Sequence, residues 1–437
     1  MIKRDDPLEK GSFLKSNEHF VKALKTIPLA SQTFSKSYLQ WPLGISPMFL
    51  KEGKGCRITD LDDNNYIDYV MGLMSVILGY SDKEVNQAVC SQLQKSVLLS
   101  MPHPKELELA EKLKNLIPYA DMVRFGKNGS DATSAAIRIS RAFTGRDLVA
   151  FSGYHGWHDW YIGKTTRNLG VPKSVTKLSY RFPFNDADAL HSLVKNNPKN
   201  FAAVMIEPES AEVTAPGFLK RVREICDLYG IVLIYDEIIC GFRVGYGGTS
   251  KVYDVYPDLG CFGKSMANGF PLSALVGNKK IMKLMEDVFV SGTFSGDVIS
   301  LTAGLVTIDK LVTKNIPTKL AKRGKVLITK SNKILEEFSL KDIIHFSGND
   351  WWPRLNVNED KQHPMLISSL LRQEFVRHGL FLGAGYNLCL KHDTEKIMLI
   401  TMDSFKHAIT QVNQALNSKD PYSFMKGNLL QKVFKVR

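Results

Sequence analysis

Four short apolar runs in the middle of this 437-residue chain end in side chains suited to chemistry. The run Leu259 to Phe262 leads into Gly263, Lys264 and Ser265. A lysine entering an apolar crevice has its pKa pushed down, which leaves a nucleophilic amine able to form a Schiff base with a carbonyl. The ordinary alternative is a lysine whose ammonium reaches water. The run Ile231 to Tyr235 is so apolar that Asp236 and Glu237 must emerge inside a crevice, where a carboxylate needs a cationic or hydrogen-bonding partner. The strand itself supplies none; a protonated ligand nitrogen would serve. After Met122 to Phe125 come Gly126, Lys127, Asn128, Gly129, Ser130 and Asp131, then a helix with the apolar face Ala132, Ala135, Ala136 and Ile139. With Ser130 or Asp131 as N-cap, such a glycine turn offers backbone amides to an anion, unless it is a plain strand-to-helix turn. After Leu148 to Phe151 comes Ser152 to His158, an aromatic and imidazole cluster bracketed by glycines.

Two readings of these residues fail on spacing. Gly263, Lys264 and Ser265 suggest a phosphate-binding loop of nucleotide triphosphatases, but that motif needs a glycine where Asp258 stands. His155 and His158 would suit a metal on a helix, yet glycines make the segment a loop and no third ligand lies nearby. A ring laid against a flat ligand fits better, and no metal is expected.

The elements that must position these residues are regular from about 120 to 300. Strand-like runs at 122–125, 148–151, 201–206, 231–235, 259–262 and 275–276 alternate with helical stretches, including one at about 217–229. Runs that are apolar throughout are buried on both faces, so an α/β core with a mostly parallel sheet is expected, with ligands outside the carboxyl ends of its strands. The flanks differ. The polar turn DLDDNN between two β-rich runs in 50–70 predicts an antiparallel hairpin. Residues 317–437 show two long amphipathic stretches, a turn at Ser347 to Asp350, and strand-like pieces near Trp351 to Val357 and Ile397 to Thr401. The expected organisation is an N-terminal arm and part of a small domain at 1–75, a large domain at 76–312, and the rest of a smaller α+β domain at 313–437.

Composition sets the remaining bounds. With 44% hydrophobic and 23% charged residues the chain is an ordinary globular protein. Its formal charge of +13 raises the question of nucleic acid. The eight basic residues of 310–333 interleave with Leu311, Ile316, Leu320, Val326 and Leu327 as one helix with a solvated face, and attraction for anionic small substrates explains the charge as well. No nucleic-acid partner is expected on that ground, and no membrane partner, because no run approaches the ~18 apolar residues of a spanning helix. The N-terminus lacks the apolar block of an export signal, and six scattered cysteines without a CxxC pair suggest reduced thiols, hence a cytoplasmic protein.

A glycine turn, an aromatic-His pair, a strand-end Asp and a strand-end Lys, in this order, are what pyridoxal phosphate chemistry requires: an amine for the imine, a carboxylate for the pyridinium, a phosphate seat and a stacking ring. The chain closely resembles the class III aminotransferases of the type I pyridoxal phosphate fold, in the branch containing glutamate-1-semialdehyde aminomutase. The resemblance runs from about residue 45 to 310, and more weakly to about 410. The family's Asn-Ser-Gly-Thr-Glu-Ala turn appears as Lys127, Asn128, Gly129, Ser130, Asp131, Ala132, and its Tyr-His-Gly as Tyr154, His155, Gly156. Its Glu-Pro is Glu207, Pro208. Its Asp-Glu-Val-x-x-Gly-Phe-Arg is matched by Asp236, Glu237, Ile238, Gly241, Phe242 and Arg243, its Gly-Lys by Gly263 and Lys264, and its Gly-Thr-x-Ser-Gly by Gly292 to Gly296. The resemblance implies pyridoxal 5'-phosphate on Lys264, with Asp236 at the ring nitrogen. Tyr154 and Ile238 would cover the ring's faces. Asn128, Gly129, Ser130, His155 and Glu207 would complete the cofactor site. Thr293 would reach the phosphate of a neighbouring subunit, and so a homodimer with shared sites.

The departures concern substrate. An arginine and a tryptophan that help the aminomutase grip its substrate carboxylate are Tyr38 and Leu73 here, and a phenol does not replace a bidentate guanidinium. Lys36 or Arg243 could supply a charge instead. The resemblance implies a transaminase moving an amino group from a donor such as glutamate to a small oxo compound, a keto-sugar or polyol phosphate of surface-glycan synthesis among them. The aminomutase itself is the alternative.

Overall fold

The structure is a computed structural model and describes residues 10–360, 363–433 and 435. The N-terminal stretch expected to lack an export signal includes residues 1–9, which lie outside the described residues. The chain divides into two compact units, Lys83–Thr318 and a unit built from both flanks, up to Asp82 and from Lys319 to Val433.

The Lys83–Thr318 unit holds a seven-stranded sheet. Its strands are β1 (Met122–Gly126), β2 (Leu148–Ser152), β3 (Ser179–Arg181), β4 (Phe201–Ile206), β5 (Val232–Glu237), β6 (Leu259–Phe262) and β7 (Ser273–Gly277). Their order is β1-β7-β6-β5-β4-β2-β3. The pairs from β6 through to β3 are parallel, while β7 runs antiparallel to both β6 and β1. Every residue of β4, β5 and β6 is buried, as expected of strands covered on both faces. Helix α1 (Gly129–Thr144) lays Ala132, Ala135, Ala136 and Ile139 on one face with Val149, Met205 and Ile234; α2 (Phe218–Tyr229) lays Leu219, Val222 and Cys226 on the other with Val204, Leu233 and Tyr235. Strand β3 was not foreseen: three residues at a sheet edge leave too little pattern to read. The basic stretch expected as one helix is two, α3 (Val298–Thr313) and Ile316–Glu337, broken at Asn315, whose φ is +48°. Within it, Lys310 is buried and paired with Glu84 at 2.8 Å rather than solvated.

In the flank-built unit, strands Leu50–Lys54, Arg57–Asp60 and Asn65–Asp68 form an antiparallel meander, and the DLDDNN turn joins the last two. Asp60 closes that turn by accepting from the amides of Asp62 and Asn64. Tyr80 stays with this unit, its hydroxyl donating to Asp68 at 2.6 Å. Trp352–Val357 pairs with Ile344–Asn349, but Ile397–Thr401 lies inside the helix Glu395–Leu416, capped by Thr394. An apolar run of that length fits a strand or one face of a helix equally, and the Thr394 cap decides for helix. Tyr38 is half-buried, its ring edge-on to Phe20 at 5.5 Å. Leu73 lies in a left-handed turn in which Met71, Gly72, Leu73 and Met74 all have positive φ.

Candidate active site

The register of the parallel strands sets the candidate residues side by side. Ser152 pairs with Ile206, Ile206 with Tyr235, and Asp236 with Cys261. Gly153 to His155, Glu207, Asp236 and Lys264 therefore emerge together at the carboxyl ends of β2, β4, β5 and β6. Asp236 and Glu237 belong to the strand itself, not to the loop beyond it.

Asp236 is 3% exposed and has the partner that its own strand could not supply. His155 Nδ1 lies 2.8 Å from Asp236 Oδ2, and the Ile238 amide donates to Oδ1 at 3.1 Å. His155 is 1% exposed, stacked near Trp160, and its Nε2 is buried without a partner. His158 goes elsewhere, its Nδ1 lying 2.6 Å from Ser134 Oγ, so the two histidines do not converge. Glu207 is buried beside this pair and accepts from the Tyr154 amide at 3.1 Å. Burial, then the nearby Asp236 charge, pushes its carboxyl up to about 7. Lys264 is half-buried at a left-handed φ of +41°. Burial lowers its pKa, Glu207 and Asp236 oppose that, and Arg243 adds to the lowering. Arg243, expected among substrate contacts, is 1% exposed and enclosed in the unit, so what it brings to Lys264 is charge.

The phosphate turn is built differently from the expected cap. Asn128, not Ser130 or Asp131, is the N-cap of α1, and Asp131 reaches back to accept from the amides of Lys127 and Asn128. The amides of Gly129 and Ser130, first in the helix, have no intrahelical acceptor by position. Gly156, at φ +103°, is required here: a Cβ on it would lie 2.2 Å from Ser130 Oγ. Ile238 bridges the motifs, since a Cβ added at Gly129 or at Gly263 would come within 3.1 Å of its side chain. Tyr154 is partly exposed, its ring edge-on to Tyr161. Thr293 is exposed in the segment before α3 and lines a cavity of about 560 Å³ with Asn128. Tyr38 and Leu73 belong to the other unit.

A lysine with a depressed pKa, a buried carboxylate with acceptor capacity left, a glycine-floored cleft beside Ile238 and a helix N-terminus suit a flat, anionic ring carrying a carbonyl. The Aminotransferase class-III family pattern matches residues 42–348. The chain belongs to the class-III aminotransferases. Members of this family are pyridoxal-phosphate-dependent enzymes of fold type I, and the residues present fit that cofactor. The chain is 34% identical over 423 residues to a 3-aminobutyryl-CoA aminotransferase of Cloacimonas acidaminovorans (strain Evry), covering 93% of this chain and 100% of that one. It is 36% identical over 310 residues to a glutamate-1-semialdehyde 2,1-aminomutase of Methanococcus maripaludis (strain C6), covering 67% and 70%. Among solved structures, the FumI protein of Sphingopyxis sp. MTA144 with pyridoxal phosphate superposes with a TM-score of 0.86 at 26% identity, over 94% of this chain and all of that one. The contact that sequence reading missed is His155 with Asp236; the Tyr-His-Gly motif names the histidine, but only the strand order puts it beside the aspartate.

Proposed function

We propose that this aminotransferase moves an amino group from a donor, glutamate first among candidates, to a small oxo compound. A keto-sugar or polyol phosphate, and an oxo-acyl thioester as the Cloacimonas relative's name suggests, are the acceptor classes to try. The observation that carries the reading is the amine of Lys264 beside the buried carboxylates of Glu207 and Asp236 at adjacent strand ends. Bound there, pyridoxal phosphate supplies an electron sink conjugated to the substrate's amino carbon. Lys264 Nζ would hold the cofactor's carbonyl carbon and, once displaced by substrate, move the proton on and off the substrate carbon. Asp236, held in place by His155 and the Ile238 amide, would hold a proton on the ring nitrogen. Asn128, Gly129 and Ser130 would seat the phosphate, and Ile238 and Tyr154 would confine the ring.

Thr293 of a second copy would complete the phosphate seat, making the homodimer the active form. The exposed apolar side chains of Leu99, Met101, Phe289 and Phe294 in the same unit support a covered face there. A second reading, the intramolecular aminomutase, has the Methanococcus relative in its favour. Against it stand Tyr38 and the full-length match to an intermolecular aminotransferase. Losing a bidentate guanidinium contact to a carboxylate costs about 2 to 5 kcal/mol when the partner is left buried.

The deciding experiment offers the cofactor-loaded protein glutamate with a panel of oxo compounds and measures free 2-oxoglutarate. In parallel it offers glutamate-1-semialdehyde and measures 5-aminolevulinate. Acceptor-dependent release of the oxo acid is expected. Formation of 5-aminolevulinate with kcat/KM within about tenfold, or 1.4 kcal/mol, of a dedicated aminomutase would overturn the transaminase reading.

A further inference from the structure

Lys127 stands where the resembling family has asparagine, beside the phosphate seat, and a lysine there invites a role as phosphate ligand. Its ammonium is committed elsewhere. Lys127 Nζ forms an ion pair with Asp297 Oδ2 and donates to the Pro271 carbonyl at 3.1 Å. The two side chains are only 17% and 12% exposed, so the pair is shielded from the solvent and salt that make surface pairs weak. Asp297 Oδ1 accepts from the Ser300 amide at 2.9 Å and caps α3. One carboxylate thus joins the phosphate turn to the start of that helix.

The segment ahead of α3 is held at its other end too. Arg124, on β1, donates to the Val290 carbonyl at 2.7 Å, and Arg138, on α1, donates to the Phe289 carbonyl at 2.9 Å. Residues 291–296, which include Thr293, are therefore suspended between anchors that all belong to the strand, turn and helix of the phosphate seat.

We propose that Lys127 is a positioning residue, clasping the phosphate turn to Asp297 so that, with Arg124 and Arg138, it fixes how Thr293 is presented. A charge-assisted bond between two shielded groups is the strong kind, and here it spans about 170 residues of sequence. The proposal rests on the reading above that Thr293 serves a phosphate, and the test separates the two.

Hydrogen exchange of residues 291–296 in the cofactor-free protein reads the clasp without any turnover. Lys127→Met keeps the stem and removes the charge; Asp297→Asn removes the charge from the other side while keeping a good N-cap. Each is expected to speed exchange in 291–296 on the order of tenfold, with the double variant no faster than either single one and Lys127→Arg restoring the slow rate. Pyridoxal phosphate dissociation constants should rise by a similar factor in the same variants. Wild-type exchange in both single variants, or an additive double variant, overturns the clasp. Faster exchange with an unchanged dissociation constant upholds the clasp and overturns the phosphate role of Thr293. The failure of the transaminase reading would show separately, as formation of 5-aminolevulinate from glutamate-1-semialdehyde by the wild-type protein.

Discussion

Asp236 is buried with His155 and the Ile238 amide already on it, so its carboxyl group is held in position before any ligand binds. Asp236→Asn keeps the shape and the Ile238 contact but removes the charge, so kcat should fall by about 100-fold or more, the scale of one preorganised electrostatic group. A steady-state assay with unchanged kcat would assign the ring nitrogen to another group. Lys264→Ala should abolish turnover and leave no cofactor mass fixed to the chain after borohydride. Glu237, next in the strand, accepts from the Thr249 amide and hydroxyl and from Cys240, yet burial outweighs these bonds and pushes its carboxyl up to about 7. Its unfolded pKa is the ordinary one near ~4.3, so the folded form holds the proton more tightly. The stability it contributes is present in full below that value and is lost as pH rises to about 7. Melting curves from pH 4.5 to 8 should show wild-type stability declining across that window relative to Glu237→Gln, which has nothing to titrate; parallel profiles would remove the effect. The identity of these residues was legible because each follows an apolar run. The partner of Asp236 was not, since His155 lies 81 positions away and the two meet only through the order of the strands.

Turns, not strands, carry the tolerances of the site. Gly153 has φ +121°, and a Cβ there would lie 2.6 Å from Glu207 Oε2; Gly156 faces Ser130 in the same way. At these two positions the loop can approach the carboxylate and the phosphate turn only because no Cβ is there. Gly156→Ala should weaken pyridoxal phosphate binding by on the order of 100-fold, since at φ +103° it adds both strain and displacement of Ser130, whereas Gly145→Ala, at the ordinary left-handed φ of +66° with open space around it, meets a backbone cost alone. Equal dissociation constants for the two variants would show that Ser130 does not need its place. Sequence pattern read β4 and β6 to the residue, because a two-sided apolar strand has no other use for its composition. It misassigned Ile397 to Thr401, whose apolar run continues as one face of a helix, and it merged α3 with the helix after it, because the left-handed break falls on Asn315, a residue that carries no obligatory turn signal.

At the scale of the molecule, the parallel order β6-β5-β4-β2 alone gathers residues from 152 to 264 at one edge, and periodicity could predict a parallel sheet but not which strand lies beside which. The same scale raises the question of what covers Leu99, 54% exposed, and Met101, 77% exposed. The Val298 amide, at the start of α3, donates to the Val97 carbonyl, so this apolar stretch is joined directly to the helix that follows Thr293. If a second copy covers it, contact between copies and delivery of Thr293 are one event. Met101→Glu would then bury a carboxylate in an apolar interface, a cost of several kcal/mol, and raise the dimer dissociation constant by on the order of 100-fold or more. Sedimentation across a dilution series should show the variant dissociating where the wild-type protein stays dimeric, and pyridoxal phosphate affinity should fall in step with the dimer fraction. Thr293→Ala should weaken the cofactor without dissociating the dimer, which separates the hydroxyl from the interface that delivers it. A Met101→Glu monomer that binds cofactor as tightly as the wild-type protein would place the whole phosphate seat within one chain.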